Sequence, residues 1–402
     1  MRTLLDGNEA AAYAAKLARV NYVPNFPITP QTEFIEKIAE WQADGLWDDV
    51  IIDRLDSEHS VISAALGASA AGKRVFTASG SQGIMLMHEI LYAASGMRLP
   101  IVMAVMSRAM AAPITLWVDH NDLLGQRDCG WLISHAETNQ EVLDYILLSF
   151  SIAENKNVLL PAMVGLAGYI LSYTREPVEV PEQQKVDRFL KPYKPKHAVL
   201  KKGKLNCQGC AAIAEEYAFP RIQQHIAAKN AIDVAKKEFK RFEKAFGRKH
   251  YFFEEFMAED AELLLISQGA MSTIVKNAVI NARKKGKKVG LLRLCWIRPW
   301  PKKELEKVLN KINPKVVGVL DRNIAPGFGG IMWPEIALCL YEIKSDAVLS
   351  NYILGLGGVM QTPEKIMRII KKMEEDAKKR KGRVDFNDWE DLAEKFKVKK
   401  NG

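Results

Sequence analysis

The sequence predicts an α/β protein with two parallel-sheet domains, on three observations. Short apolar, β-branched runs alternate with longer helical segments. The runs lack polar alternation, as strands buried on both faces do. A shift in composition near residue 180 separates two such series. The first series is Tyr22-Val23, Val50 to Ile52, Val75 to Thr77, Pro100 to Val105 and Val158 to Val164. Its helices open with Gln31-Thr32 after Pro30, with Ser57 before Glu58, and with Ser81-Gln82 after a glycine. From Pro177 to Lys204 the chain is rich in Pro, Lys and Glu and has little periodicity, which reads as an extended surface connection. A lysine-rich helix is expected from about Ala211 to Phe246. The second series is Glu262 to Ile266, Val289 to Arg293, Val316 to Leu320 and Tyr352 to Leu354, with helices near 270–285, 302–311, 330–342 and 362–374. The expected divisions are a domain over 1–178, a linker and charged helical connector over 179–258, a second domain over 259–376 and a charged tail over 377–402. No internal repeat is found.

Length and charge narrow the function classes. A chain of 402 residues exceeds one ordinary core. No run reaches the roughly 18 uninterrupted apolar residues of a membrane helix, and Met1 to Asp6 carries no signal-peptide apolar region. A soluble, cytoplasmic protein is expected, with no membrane partner. The net charge of +9 concentrates in lysine pairs and in the tail from Lys378 to Lys400. Acidic residues interleave with these, as at Glu374-Glu-Asp376, and no aromatic stacking pattern accompanies them, so solvated helices are favoured over nucleic-acid binding. A basic surface of this kind also suits docking of an acidic protein such as a ferredoxin. Of five cysteines, only Cys207-Gln-Gly-Cys210 has ligand-like spacing, and no second half-site stands near it in sequence. Reduced thiols without a metal are expected. Ser79 to Gly83 and Ala325 to Gly330 are glycine turns that open helices, but neither matches a nucleotide fingerprint.

The candidate chemistry sits where strands end. In open α/β sheets the ligand crevice lies beyond the carboxyl ends of the strands. Thr29 within Phe26-Pro-Ile-Thr-Pro30, Glu58 and Arg108 each follow such an end. By position alone Glu58 also fits the amino end of a helix dipole, Thr29 a helix cap, and Arg108 a surface ion pair with Asp119 or Asp122.

Taken together, several motifs in one order carry a resemblance. They are Gly7-Asn-Glu-Ala10, FPITPQT from Phe26 to Thr32, Ser57-Glu-His-Ser60, SQG followed by Met87-His-Glu89, and Arg98-Leu-Pro100. Arg108 then leads through Trp117, Asp119-His120 and Arg127-Asp128 to Gly130-Trp131. This series resembles the alpha subunits of the 2-oxoacid:ferredoxin oxidoreductases, most of all the pyruvate (pyruvate synthase) and 2-oxoisovalerate branches. RLCWIRPWP from Arg293 to Pro301 and Asp321-Arg-Asn323 resemble that family's second domain, which is similar to the transketolase carboxy-terminal domain.

The resemblance implies a pyrimidine-type thiamine diphosphate domain in the first half and an enzyme active only with partner subunits. The reaction implied converts a 2-oxoacid, first of all pyruvate, and CoA to acyl-CoA and CO2 with reduction of ferredoxin. Partner subunits of beta, gamma and delta type would supply Mg2+ and the diphosphate site and would carry the iron–sulfur clusters, with none in this chain. Glu58 is the implied partner of the aminopyrimidine N1′, favouring the imino tautomer; Ile28 and Pro27 also line the cofactor. Thr29 and Arg108 are implied to hold the substrate carboxylate, a task suited to a planar guanidinium. The loop Met110 to Leu116 is apolar and is expected to face the substrate side chain, which places 2-oxoglutarate below pyruvate. Phe26 stands where the family usually has tyrosine, and Gly80 where serine is common. Branched or aryl 2-oxoacids, and a non-catalytic scaffold subunit, remain as alternatives.

Overall fold

The computed structural model describes residues 1–195, 199–203, 205–378 and the backbone of a strand at 384–389. Most of the expected tail lies outside the described residues. In chain order the elements are β1 (Arg2–Leu5), α1 (Gly7–Leu17), β2 (Tyr22–Asn25), α2 (Thr32–Ala43), β3 (Ile51–Arg54), α3 (Glu58–Ala70), β4 (Phe76–Ser79), α4 (Ser81–Gly96) and β5 (Val102–Ser107). There follow α5 (Asn121–Leu124), β6 (Leu132–His135), α6 (Asn139–Ala153), β7 (Ala162–Ala167), β8 (Glu176–Glu179), α7 (Gln183–Phe189) and α8 (Ala214–Phe246). The second half has β9 (Phe253–Phe256), β10 (Leu263–Gln268), α9 (Met271–Lys284), β11 (Val289–Leu294), β12 (Trp296–Arg298), α10 (Lys302–Ile312), β13 (Val316–Asp321), α11 (Trp333–Glu342), β14 (Val348–Ile353), α12 (Pro363–Asp376) and β15 (Val384–Trp389).

Both halves are α/β with mainly parallel strands. The first sheet has the order β12-β6-β7-β5-β4. A parallel bridge from Tyr22 to Val75 brings the β2–β3 pair alongside β4. The second sheet has the order β15-β14-β13-β10-β11-β9, parallel throughout except for the antiparallel edge strand β9. Every residue of β4, β5 and β7 is buried, which is why these strands read as continuous apolar runs. Helix α6 is apolar almost all round and lies in the core between α1 and the sheet. Asp6 and Glu9 form a reciprocal capping box at the start of α1, whose alanines let it pack closely on α6.

The connector departs from expectation at its start. Glu176–Glu179 is a strand paired antiparallel with β1, and Gln183–Phe189 is a short helix, rather than extended surface chain. Pro177 is compatible because β8 pairs on one side only, and Val178 is buried between the pair and the core.

The two halves are joined through the sheet itself. Strand β12 leaves the second half and pairs antiparallel with β6 at the edge of the first sheet. Across the same junction Arg293 donates both terminal nitrogens to Glu141 at 2.7–2.8 Å and its Nε to Glu254 at 2.6 Å. Lys276 bridges Glu137 and Glu254 at 2.6 and 2.9 Å. Removing one member would strand buried charge, the costly way to break such a network.

Within the junction the His120 and His135 rings meet edge to face at 4.3 Å, and both are fully buried. Burial pushes His135 down to about 3 and His120 well below the ordinary histidine value. In the unfolded chain a histidine titrates near about 6.5. The unfolded state therefore binds protons first as the pH falls. The stability from keeping these rings neutral is complete above about 6.5 and is lost from there toward 3. Asp122 and Asp321, raised by burial to about 6, act in the opposite sense, because the folded state takes up their protons first. The histidine contribution is isolated by comparing His135→Phe with the parent in urea at pH 7.5 and 5.0. The variant should lose about 2 kcal/mol less on acidification; equal losses would exclude His135 as an acid-labile element.

Candidate functional site

The site is built at the carboxyl ends of β2, β3, β4 and β5. Strand β2 runs out into Phe26 to Pro30, which is held by Asn8: its side-chain amide donates to the Pro30 carbonyl at 2.9 Å and to the Ser172 carbonyl at 3.2 Å. The Thr29–Pro30 peptide is cis. Pro27, Ile28 and Thr29 are half-buried, and the Ile28 carbonyl accepts from the Gln31 amide at 2.7 Å. Asn8 thus accounts for the Gly7-Asn-Glu-Ala10 motif as the fastening of this loop.

Glu58 opens α3, with Ser57 as the cap: its hydroxyl accepts from the Ser60 amide at 3.2 Å. The cap leaves the Glu58 carboxylate free of that duty. Glu58 is 7% exposed, and no hydrogen bond or ion pair to its carboxylate is found among the described residues. Its neighbour is Gly83 in the first turn of α4, where a Cβ would lie 2.6 Å from Glu58 Oε1 and 2.4 Å from the Ser79 hydroxyl. The Ser79 hydroxyl is itself buried without a partner in the described structure. A buried carboxylate with open acceptor capacity and a glycine facing it is suited to taking a hydrogen bond from a flat ligand.

Arg108 follows β5 directly and is 5% exposed, so the surface ion-pair reading is overturned. Its Nη1 donates to the Thr29 carbonyl at 2.7 Å, and its Nη2 donates to Gln82 Oε1 at 3.0 Å. Its Nε is buried without a partner in the described structure. Each terminal nitrogen therefore retains a further N–H, and the fork is fixed before any carboxylate arrives. Burial lowers the guanidinium's proton affinity, and the nearby Asp122 opposes that. The role of Asp122 differs from the ion pair considered from sequence: Oδ2 accepts the Arg108 amide at 3.0 Å.

A continuous path thus runs from Thr29 through Arg108 and Gln82 to Gly83 and Glu58. Gln82 and Asp122 were not legible as parts of it. Gln82 sits in a glycine turn whose sequence says only that a helix starts after a strand, and Asp122 lies in a segment without periodicity. The glycine at position 80 has a local cause: a Cβ there would stand 2.3 Å from the Met106 carbonyl oxygen. Phe26 is half-buried and packs on the first-half core.

Other motif residues are scaffold. His88 Nδ1 pairs with Gln126 Oε1 at 2.5 Å, the Trp131 indole donates to the Leu91 carbonyl at 2.8 Å, and Arg98 Nε donates to the Leu159 carbonyl at 3.0 Å. Asp321 gathers the amides of Met332 and Trp333 and the side-chain amides of Asn323 and Asn351. It therefore caps α11, and Gly330 is needed because a Cβ there would lie 1.9 Å from Asp321 Oδ2. The loop from Met110 to Leu116 is mostly exposed, with Ile114 and Leu116 in solvent. Cys207 and Cys210 are exposed free thiols, and no group of three or more potential metal ligands occurs among the described residues. No helix among the described residues is long and apolar enough to cross a membrane.

Known proteins share the sequence and the fold. Residues 13–240 match the family described as pyruvate flavodoxin/ferredoxin oxidoreductase, thiamine diphosphate-binding, and residues 261–366 match the pyruvate:ferredoxin oxidoreductase core domain II. The pyruvate synthase subunit PorA of Pyrococcus abyssi is 44% identical over 358 residues, covering 89% of this chain and 90% of the relative. The same subunit of Methanothermobacter thermautotrophicus is 40% identical over 371 residues, covering 92% and 95%. The ketoisovalerate oxidoreductase subunit VorA of Pyrococcus abyssi is 43% identical over 359 residues, covering 89% and 90%. Among solved structures, 2-oxoglutarate:ferredoxin oxidoreductase from Magnetococcus marinus shares the fold, with a TM-score of 0.70 at 17% identity over 92% of this chain and 65% of that one. A split-gene transketolase chain also shares it, with a TM-score of 0.53 at 12% identity over 92% of this chain and 98% of that one. The chain belongs to the pyruvate:ferredoxin/flavodoxin oxidoreductase family, and its first half is that family's thiamine diphosphate-binding domain.

Proposed function

We propose that this chain is the alpha-type subunit of a 2-oxoacid:ferredoxin oxidoreductase, forming acyl-CoA and CO2 from a 2-oxoacid and CoA. The observation that carries the reading is the contiguous arrangement of an unpaired buried Glu58, the glycine face at Gly83 and the pre-set Arg108 fork. The residues present fit thiamine diphosphate, since a buried carboxylate without a partner suits an aminopyrimidine nitrogen and Gly83 leaves room beside it. When bound, that cofactor supplies the carbon nucleophile and electron sink for decarboxylation. Glu58 would share a proton with the aminopyrimidine ring nitrogen, and Pro27 and Ile28 would line the cofactor. Arg108 binds the substrate carboxylate through its remaining N–H groups, and the Thr29 hydroxyl donates alongside.

In this reading residues 1–178 and 259–376 are the two domains, joined by the connector 179–258 and followed by the tail. Beta, gamma and delta-type subunits complete the enzyme in the cytoplasm; they provide Mg2+, the diphosphate site and the iron–sulfur clusters, and ferredoxin accepts the electrons. The substrate assigned is pyruvate, because relatives 40–44% identical over most of the chain are named for pyruvate synthase and the Met110 to Leu116 loop is apolar. The ketoisovalerate relative, at 43% identity, makes 2-oxoisovalerate the second candidate.

The test is to purify the complex anaerobically through a tag on this chain and follow CoA-dependent viologen reduction with pyruvate, 2-oxoisovalerate and an aryl-pyruvate. Pyruvate should be turned over fastest; a cluster-bearing complex inert toward all three would overturn the assignment. Glu58→Ala should lower kcat by about 10²-fold or more, the scale of a lost acid–base group, while the subunits still co-purify. Loss of assembly together with activity would instead favour a scaffold role. Gly83→Ala should weaken thiamine diphosphate binding by at least about tenfold, because the methyl occupies space against Glu58, and isothermal titration of the stripped complex reads this directly.

A further inference from the structure

Among the described residues, the carboxy-terminal half contributes no side chain to the path from Thr29 to Glu58, yet it grips the segment that ends at Asp122. The Gly358 amide donates to the Val118 carbonyl at 2.9 Å, and the His120 amide donates to the Arg322 carbonyl at 2.9 Å. The Asn121 side chain makes a two-way clamp on Ile324, donating to its carbonyl at 2.7 Å and accepting from its amide at 3.0 Å. Four successive residues are therefore fixed, directly or through their neighbours, to the loops that follow β13 and β14.

Asp122 is the next residue and is fully buried. Its Oδ2 accepts two amides at once, Ser81 at 2.8 Å and Arg108 at 3.0 Å, while Oδ1 accepts the Leu123 amide at 2.7 Å. Ser81 begins the turn that carries Gln82, and Gln82 and Thr29 hold the two terminal nitrogens of Arg108. One carboxylate oxygen thus fixes both the backbone that bears the guanidinium and the backbone that bears its orienting carboxamide. The buried carboxylate is tolerated because three amides satisfy it.

We infer that Asp122 is a positioning residue through which the carboxy-terminal half sets the direction of the Arg108 fork. This rests on the proposed role of Arg108 in binding the 2-oxoacid carboxylate. An asparagine cannot replace it, because a carboxamide has one acceptor oxygen and would turn an N–H group toward either Leu123 or the Ser81–Arg108 pair. A misaimed fork weakens carboxylate binding before it affects any step that follows.

The experiment uses the intact complex carrying Asp122→Asn. The KM for the 2-oxoacid should rise about tenfold with kcat falling less than threefold, and with the KM for CoA and the affinity for thiamine diphosphate unchanged. An unchanged KM for the 2-oxoacid, or equal shifts for 2-oxoacid and CoA, would overturn the inference. Amide hydrogen exchange provides a readout that does not need turnover: peptides over 79–83 and 106–110 should exchange faster in the variant. If Asp122→Asn does not assemble, Asn121→Ala cuts the same connection from the other side and should raise exchange in both peptides; protection equal to the parent in both would count against the inference. A parent complex inert toward every 2-oxoacid would refute the functional reading while leaving the exchange comparison decisive for the coupling.

Discussion

Close approach of the first turn of α4 to its neighbours is the constraint on which the rest of the site depends. At Gly80 the backbone passes so near Met106 that a Cβ would collide with its carbonyl, and at Gly83 the helix lies directly against Glu58. These two positions bring the ends of β3, β4 and β5 to within side-chain reach of one another. With side chains at both, α4 would stand away from β5, Gln82 would lose Arg108, and the carboxylate would face a gap rather than a wall. Glycine serves here by omission of a Cβ, not by unusual backbone angles, since Gly80 is extended.

Around that contact the polar groups divide by whether they are satisfied. Asp122, Asp321 and Asn8 use their acceptors or donors on backbone groups of other segments, so each ties loops together at the cost of a desolvated side chain. Glu58, the Arg108 Nε and the Ser79 hydroxyl have open hydrogen-bonding capacity within the described structure. Open capacity in a buried setting is unfavourable for the free protein and is what a ligand can recover on binding. Glu58 and Arg108, both proposed to act on ligands, belong to this open group, while Asp122, Asp321 and Asn8 serve the frame.

The junction between the halves is held by strand pairing and by ion pairs. Strand β12 gives the first sheet an edge strand from the second half, and the network of Arg293 and Lys276 with Glu137, Glu141 and Glu254 crosses the same boundary. Buried thiols nearby are inert: burial pushes Cys129 and Cys295 up to about 12. Beside this junction, Asn121 and Asp122 connect the second half to the Arg108 backbone.

The alternation of strands and helices, the two α/β halves, and the end of the sheet at which Thr29, Glu58 and Arg108 gather were legible in the pattern of residues. Those follow from periodicity and from the rule that parallel strands present their carboxyl ends on one side, both of which are local or topological. It also supplied the family, because ordered short motifs survive where single ones are ambiguous. Tertiary structure decided the rest. Strands β1, β6, β8, β9 and β12 escaped the reading because each is short and pairs at an edge or antiparallel with a distant partner, a choice that no local pattern encodes. Gln82 and Asp122 became visible only when α4, β5 and α5 were packed, since a carboxylate acquires its meaning from the amides that surround it and those come from residues 14 and 41 positions away.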